Sequence, residues 1–270
     1  MLPFVYGFKW TPGYLIFLGI FYAVLMVIGA TLAMALRRAR LAHRARKAEA
    51  IRWHADFGDL AARDRACRHD IDGRMPGRVC QLGFDCRTCE KHAEVMKRPA
   101  PERAVAMNAV PVPLDRMYHR GHTWVQPQPD GTVLVGLDEM ARRLTGKPGR
   151  TELPHPGALV QVNGTAWRMS RNGFAARVLS PVDGVVLETG GPERGWYLKV
   201  KPANTNFRHL LEGSEAAAWM QRELDRVGML LAVPATGATL ADGGTLVEDA
   251  PAAMPDADWN TAWGALFLNP

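Results

Sequence analysis

From Tyr14 to Leu36 the chain contains no charged side chain, and a helix of that length is long enough to cross the hydrocarbon layer of a bilayer. A cleavable signal peptide would have a shorter apolar core behind a basic start, whereas only Lys9 precedes this run. The segment 14–36 is therefore expected to remain as a transmembrane anchor. Arg37, Arg38, Arg40, Arg44, Arg46 and Lys47 follow it directly, and basic residues flanking a span are retained on the cytoplasmic side. Residues 1–13 then form a short extracytoplasmic N-terminus, and the rest faces the cytosol, in a single-pass protein of the inner or plasma membrane. The formal net charge of +6 owes much to this run, which reads as a topology signal and a solvated helix face rather than a nucleic-acid site.

Residues 37–65 are rich in Ala, Arg, Leu and Glu with no Gly or Pro before Gly58, so the helix is expected to continue as a cytosolic stalk. The segment 66–96 holds all four cysteines, Cys67, Cys80, Cys86 and Cys89, among several glycines and a proline. It is too short and too rich in turns for a hydrophobic core of its own. In a reducing compartment structural disulfides are rare, and the spacing C-x12-C-x5-C-x2-C offers one tight pair plus two loop-delivered thiolates. That set suits a closed, structural zinc site whose binding energy would order the segment. An iron–sulfur cluster is the alternative, although the spacing matches neither common ferredoxin pattern, and metal-free thiols are a third possibility. His69 and His92 are near enough in sequence to substitute as ligands, but exposed histidines beside a basic segment are the ordinary case.

Residues 97–114, KRPAPERAVAMNAVPVPL, have the composition of a Pro/Ala linker. Beyond it, short apolar runs are split by Gly, Pro and Asp: HTWVQ, the turn PDG, TVLVGL, then ALVQV, TAWRM, AARVLS, GVVLE and WYLKVKP. These are strands of a β-rich domain. A short helix is expected over Asp138–Leu144, capped by Asp138 and ended at Gly146. A second helix should run from Ser214 to about Val227, and residues 214–270 form a C-terminal extension. There, Trp259, Trp263, Leu266 and Phe267 mark one face of a docking helix, a stripe that more often packs into a core than into a partner.

The landmarks of the β-rich region resemble the H protein of the glycine cleavage system, a lipoyl carrier of the biotinyl/lipoyl hammerhead type. YHRGHTWV (Tyr118–Val125) is similar to that family's opening strand with its His-x-Trp-Val. VGLDEMARRLTG (Val135–Gly146) is similar to the strand and helix that follow, and ELPHPG (Glu152–Gly157) to its Glu-Leu-Pro turn. SPVDGVVLE (Ser180–Glu188) and ERGWYLKVKP (Glu193–Pro202) resemble two later strands. The resemblance implies an H-protein-like lipoyl domain over 115–213. The fold class is then α+β, mostly β: one transmembrane helix, a four-cysteine metal-knuckle segment, and a lipoyl-like barrel or sandwich with short helices.

In that family a lysine at a hairpin tip carries lipoate. Counting from either flanking landmark places Gly173 at its position, and the hairpin RMSRNGFAARVL contains no lysine. Neither glycine nor the neighbouring Arg168, Arg171 and Arg177 offers the primary amine that amide attachment needs, so lipoate is not expected. Lys147, Lys199 and Lys201 lie on other segments and are weaker candidates. Asn172-Gly173 is a favourable pair for a tight turn. The three arginines could bind an anionic partner, but arginines on a turn are usually solubilising.

No P-loop, dinucleotide fingerprint, nucleophile elbow or His-Glu-x-x-His helix occurs. Asn163-Gly164-Thr165 would not meet the glycosylation machinery in the cytosol, and the Asp-Gly-Gly of the tail fits no calcium loop. The expectation is a non-enzymatic, membrane-tethered scaffold or adaptor that presents a lipoyl-like surface to a protein partner at the cytosolic membrane face. A working lipoyl carrier in a glycine-cleavage-like system and an iron–sulfur electron-transfer module are the alternatives.

Overall fold

The computed structural model describes residues 11–97, 110–231 and 246–269. The chain divides into two compact units, Met1–Ala48 and Glu49–Pro270. The first consists of the greater part of α1 (Pro12–Asp59), with a proline at its start, where the missing N–H has no intrahelical partner to lose. Over Pro12–Ala45 it is the one helix among the described residues long and apolar enough to cross a membrane. Leu15, Ile16, Phe17, Ile20, Val27 and Ile28 are all exposed, so these apolar side chains have no protein core to enter.

The second unit starts with the last turns of α1, where Trp53 and Phe57 join Leu60, Phe84, Leu179 and Leu268 in a small apolar cluster. The helix ends at Asp59, short of residue 65. The chain turns there so that Ala66 can pair with Val79 in an isolated antiparallel bridge. Two short helices follow in the cysteine segment, α2 (Arg68–Ile71) and α3 (Glu90–Val95). Most of the Pro/Ala linker, residues 98–109, lies outside the described residues.

The strands β1 (Met117–His119), β2 (Thr123–Pro127) and β3 (Val133–Leu137) form an antiparallel meander. The Pro-Asp-Gly between β2 and β3 closes as expected. Asp130 accepts the backbone N–H of Thr132 at 3.0 Å, and Gly131 takes the left-handed φ of 76°. Next come α4 (Glu139–Thr145), β4 (Arg150–Glu152), β5 (Leu159–Val160), β6 (Thr165–Arg171), β7 (Phe174–Leu179), β8 (Gly184–Gly191) and β9 (Trp196–Pro202). They assemble into a six-stranded sheet ordered β1-β2-β3-β9-β8-β5 and a three-stranded sheet ordered β4-β6-β7. Every pairing is antiparallel.

Alternation along these strands sends Val133, Val135, Trp167, Met169, Val178, Leu198 and Val200 into one shared core. That core is covered by α5 (Gly213–Leu231), which buries Ala216, Trp219, Met220, Glu223 and Val227 at helical spacing. The helix starts one residue before the expected Ser214 and runs four residues beyond Val227. After residues 232–245, which lie outside the described residues and take in much of the Gly-rich tail, come α6 (Ala250–Ala253) and α7 (Trp259–Leu266). The stripe of Trp259, Trp263, Leu266 and Phe267 docks within the domain and not on a partner. All four are at most 1% exposed, and the Trp263 indole donates to the carbonyl of Leu144 at 3.0 Å.

Candidate functional site

The strands β6 and β7 meet in a hairpin whose tip is Asn172-Gly173, with φ of 48° and 87°. Two consecutive positive φ values define the type I′ geometry that matches strand twist, and Asn-Gly is the pair that adopts it most readily. A Cβ placed on Gly173 would meet nothing within 4 Å, so the tip projects into open space, as an attachment point must. No primary amine stands there. Of the lysines elsewhere, Lys199 on β9 is ion-paired with Asp130 at 2.8 Å, Lys201 is exposed on the same strand, and Lys147 is exposed in the loop after α4.

The three hairpin arginines differ in their surroundings. Arg171 is paired with Asp249 at 2.7 Å and also donates to the Thr145 carbonyl. Arg177 is buried, with bonds to Asp56 and Asn269. Only Arg168 is exposed, as expected of a solubilising residue.

The cysteine segment is stitched onto the β-rich domain. The Cys67 N–H donates to the Arg78 carbonyl at 2.8 Å and the Cys80 N–H to that of Arg65 at 2.7 Å. Arg68 grips Glu215 on α5 with both arms of its guanidinium, Nε at 2.7 Å. Arg222 reaches Asp70 at 2.7 Å, Arg120 donates to the Ala66 carbonyl at 2.8 Å, and Asn163 donates to that of Gly83 at 2.8 Å. Much of the order that the sequence assigns to a metal is thus supplied by side chains reaching across from the β-rich domain.

All four cysteines are free thiols. Cys67, Cys80 and Cys86 lie near enough to feel one another electrostatically; burial raises Cys67, and burial pushes Cys86 up to about 12 despite the Arg68 guanidinium beside it. Cys89 is the residue before α3, and its backbone N–H donates to the Cys86 carbonyl at 3.4 Å. Among the described residues no three His, Cys, Asp or Glu side chains are placed to hold one ion. His69 and His92, expected to be ordinary exposed side chains, are instead buried and stacked, with centroids 5.1 Å apart. Their facing nitrogens are 3.0 Å apart, and Asp72 lies 3.3 Å from the other nitrogen of His69. Burial depresses both, His92 to about 4, so the pair is neutral near pH 7.

A second polar cluster underlies the sheet. His122, in the turn before β2, has Nδ1 2.8 Å from Asp138 and Nε2 3.5 Å from Glu223. Asp138 also caps α4 by accepting the Ala141 N–H at 2.8 Å, as its sequence position predicts. Burial alone would depress His122, but the two carboxylates hold its charged form and raise it to about 9. Nothing local in the sequence marks Arg68, Arg120, His122 or Glu223 as partners. The one legible signal is the His-x-Trp of Tyr118–Val125, which places His122 at a strand entry.

A curled antiparallel sheet, a capped helix after its third strand, and an exposed tight hairpin together define a hammerhead domain of the lipoyl-carrier class. The chain belongs to the glycine cleavage H-protein family: the family model described as "Glycine cleavage H-protein" matches residues 116–192. A probable glycine cleavage system H protein from Pyrococcus furiosus is 30% identical over 118 residues, covering 38% of this chain and 88% of that one. The glycine cleavage system H protein of Halorhodospira halophila is 31% identical over 108 residues, covering 35% and 83%. A crystal structure of a glycine cleavage system H protein from Mycobacterium marinum has 26% identity, covers 39% of this chain and 96% of its own, and superposes with a TM-score of 0.35.

Proposed function

We propose that this chain is a membrane-tethered, non-enzymatic scaffold or adaptor built on an H-protein domain that has given up lipoate. The reading is supported by the hairpin tip, an open Asn172-Gly173 turn without an amine, at which counting from the flanking landmarks puts Gly173 where the family has its lysine. Lipoate attachment requires a primary amine, so the residues present do not fit the group. The exposed apolar helix over Pro12–Ala45 and the basic residues after it support a single-pass anchor in the inner or plasma membrane with the domain in the cytosol. A tethered domain can serve only protein partners at that same membrane face. Intact-mass measurement of the chain purified from its native host is expected to show no lipoyl adduct. An adduct on any lysine would overturn the reading in favour of a working carrier.

The cysteine segment is part of this reading, as a structural zinc knuckle formed by Cys67, Cys80, Cys86 and Cys89. Its support is the mutual proximity of three of the thiols and the spacing of the fourth. Closing such a site requires the sulfurs to converge and lose their protons, which burial of Cys67 and Cys86 resists, so metal uptake should release protons and weaken as pH falls. Elemental analysis of the purified chain is expected to find zinc in equimolar amount. A metal-free chain rules the knuckle out, and visible iron–sulfur absorbance would favour the electron-transfer alternative.

A further inference from the structure

The outward face of the three-stranded sheet carries a groove of about 400 Å³ lined by Arg52, Arg150, Glu152, Arg168, Ser170 and Arg177, among others. Its charges are unbalanced. Arg150 is tied to Glu152 at 2.9 Å, and Arg52 and Arg177 share the single carboxylate of Asp56. Arg168 has no ion-pair partner among the described residues. The register makes this costly, because Arg168 on β6 lies directly opposite Arg177 on β7, and like charges facing each other across a ladder destabilise it.

Arg177 itself is only 6% exposed. Its Nε and Nη2 are bonded to Asn269 and Asp56, but its Nη1 is buried without a partner. A buried donor left unpaired costs about 1 to 3 kcal/mol, more on a charged group. Burial also depresses the Arg177 guanidinium, and Arg52 acts in the same direction with Glu49 only partly opposing them, so on balance the site opposes a charge that it keeps. An oxyanion between Arg168 and Arg177 would answer the unpaired Nη1, the unpartnered Arg168 and the facing like charges together.

We propose that this groove binds the phosphate group of a small ligand. Four guanidiniums outnumber the nearby carboxylates of Glu152, Asp56 and Glu49, which leaves net positive charge for an anion to meet. Guanidinium forks suit phosphate oxygens geometrically, Ser170 adds a hydroxyl, and the volume is that of a small-molecule site. The phosphate could be that of a free ester or of a lipid headgroup. The site stands whether or not the chain carries lipoate.

The test uses the full chain in non-ionic detergent, followed by calorimetry at constant ionic strength set with chloride. One arm titrates inorganic phosphate and the other titrates phosphatidic acid in mixed micelles. Saturable binding is expected in at least one arm, and Arg168→Gln should weaken it about tenfold or more, as loss of a charged hydrogen bond predicts. Arg168 is exposed, so this variant keeps the fold, and Arg194→Gln outside the groove should bind as the parent does. Response to inorganic phosphate assigns a free ester, and response to the lipid alone assigns a headgroup. Absence of saturable binding in both arms, equal binding by Arg168→Gln, or equally tight binding of acetate would overturn the proposal.

Discussion

Asp138→Ala is expected to destabilise the domain by about 4 kcal/mol, because breaking a buried ion pair from one side costs roughly 3 to 5 kcal/mol. Asp138 is 2% exposed and His122 is fully buried, so removal of the carboxylate leaves a buried imidazolium facing only Glu223 at 3.5 Å. The same side chain caps α4 through Ala141, a contact worth about 1 kcal/mol. The two losses share one residue and are not simply additive. Asp138→Asn separates them, since the amide oxygen can still accept the Ala141 N–H while the charge is lost. Urea unfolding followed by tryptophan fluorescence should rank the parent above the Asn variant and the Asn variant above the Ala variant. A loss below about 1 kcal/mol for Asp138→Ala would show that His122 is not held as a cation.

Asp138 also illustrates what the sequence makes readable. Its cap, the helix it starts and Gly146 at the helix end are all encoded within a dozen residues, and the structure places them as expected. The hairpin Asn172-Gly173 and the turn at Asp130-Gly131 are equally local, because each rests on the φ preference of one or two residues. The long apolar run of α1 is readable from composition alone.

Long-range pairs are different. Arg68 and Glu215 are separated by 147 positions, and no periodicity or spacing links them, so the grip that orders the cysteine segment could not be anticipated. Arg177 looked like its neighbour Arg168, an arginine on a solvated hairpin. It is buried because β6, the end of α1 and the C-terminal Asn269 converge on it. His69 and His92 went the same way, drawn together from opposite ends of the segment. In each case a side chain that reads as solubilising is enclosed by an element distant in sequence.

The buried histidines also predict how stability depends on pH, with opposite signs on the two sides of neutrality. His119 is neutral in the fold: its Nδ1 accepts the Gly121 N–H at 3.1 Å and its Nε2 lies 3.0 Å from the Asn163 side-chain oxygen. Burial first, and the nearby His209 second, depress it to about 3. The unfolded chain takes up a proton near pH 6.5 that the folded chain refuses, so stability falls as pH drops from there towards 3. His119 alone should remove about 2 kcal/mol between pH 7 and pH 5, at roughly 1.4 kcal/mol per unit. His209, also lowered by burial, adds to that loss. Glu223 contributes further down. Burial would raise it, but Arg226 and His122 pull it to about 2, so its stabilisation is lost as pH falls below 4.5.

On the alkaline side the sign reverses. His122 is raised to about 9, so its contribution is complete below 6.5 and is lost as pH rises through 9, at a cost of about 3 kcal/mol. The unfolding free energy of the parent should therefore peak near pH 6.5. His119→Gln should flatten the acid limb and Asp138→Asn the alkaline one. A parent whose stability is level from pH 5 to pH 9 would mean that neither histidine holds the charge state its buried partners impose.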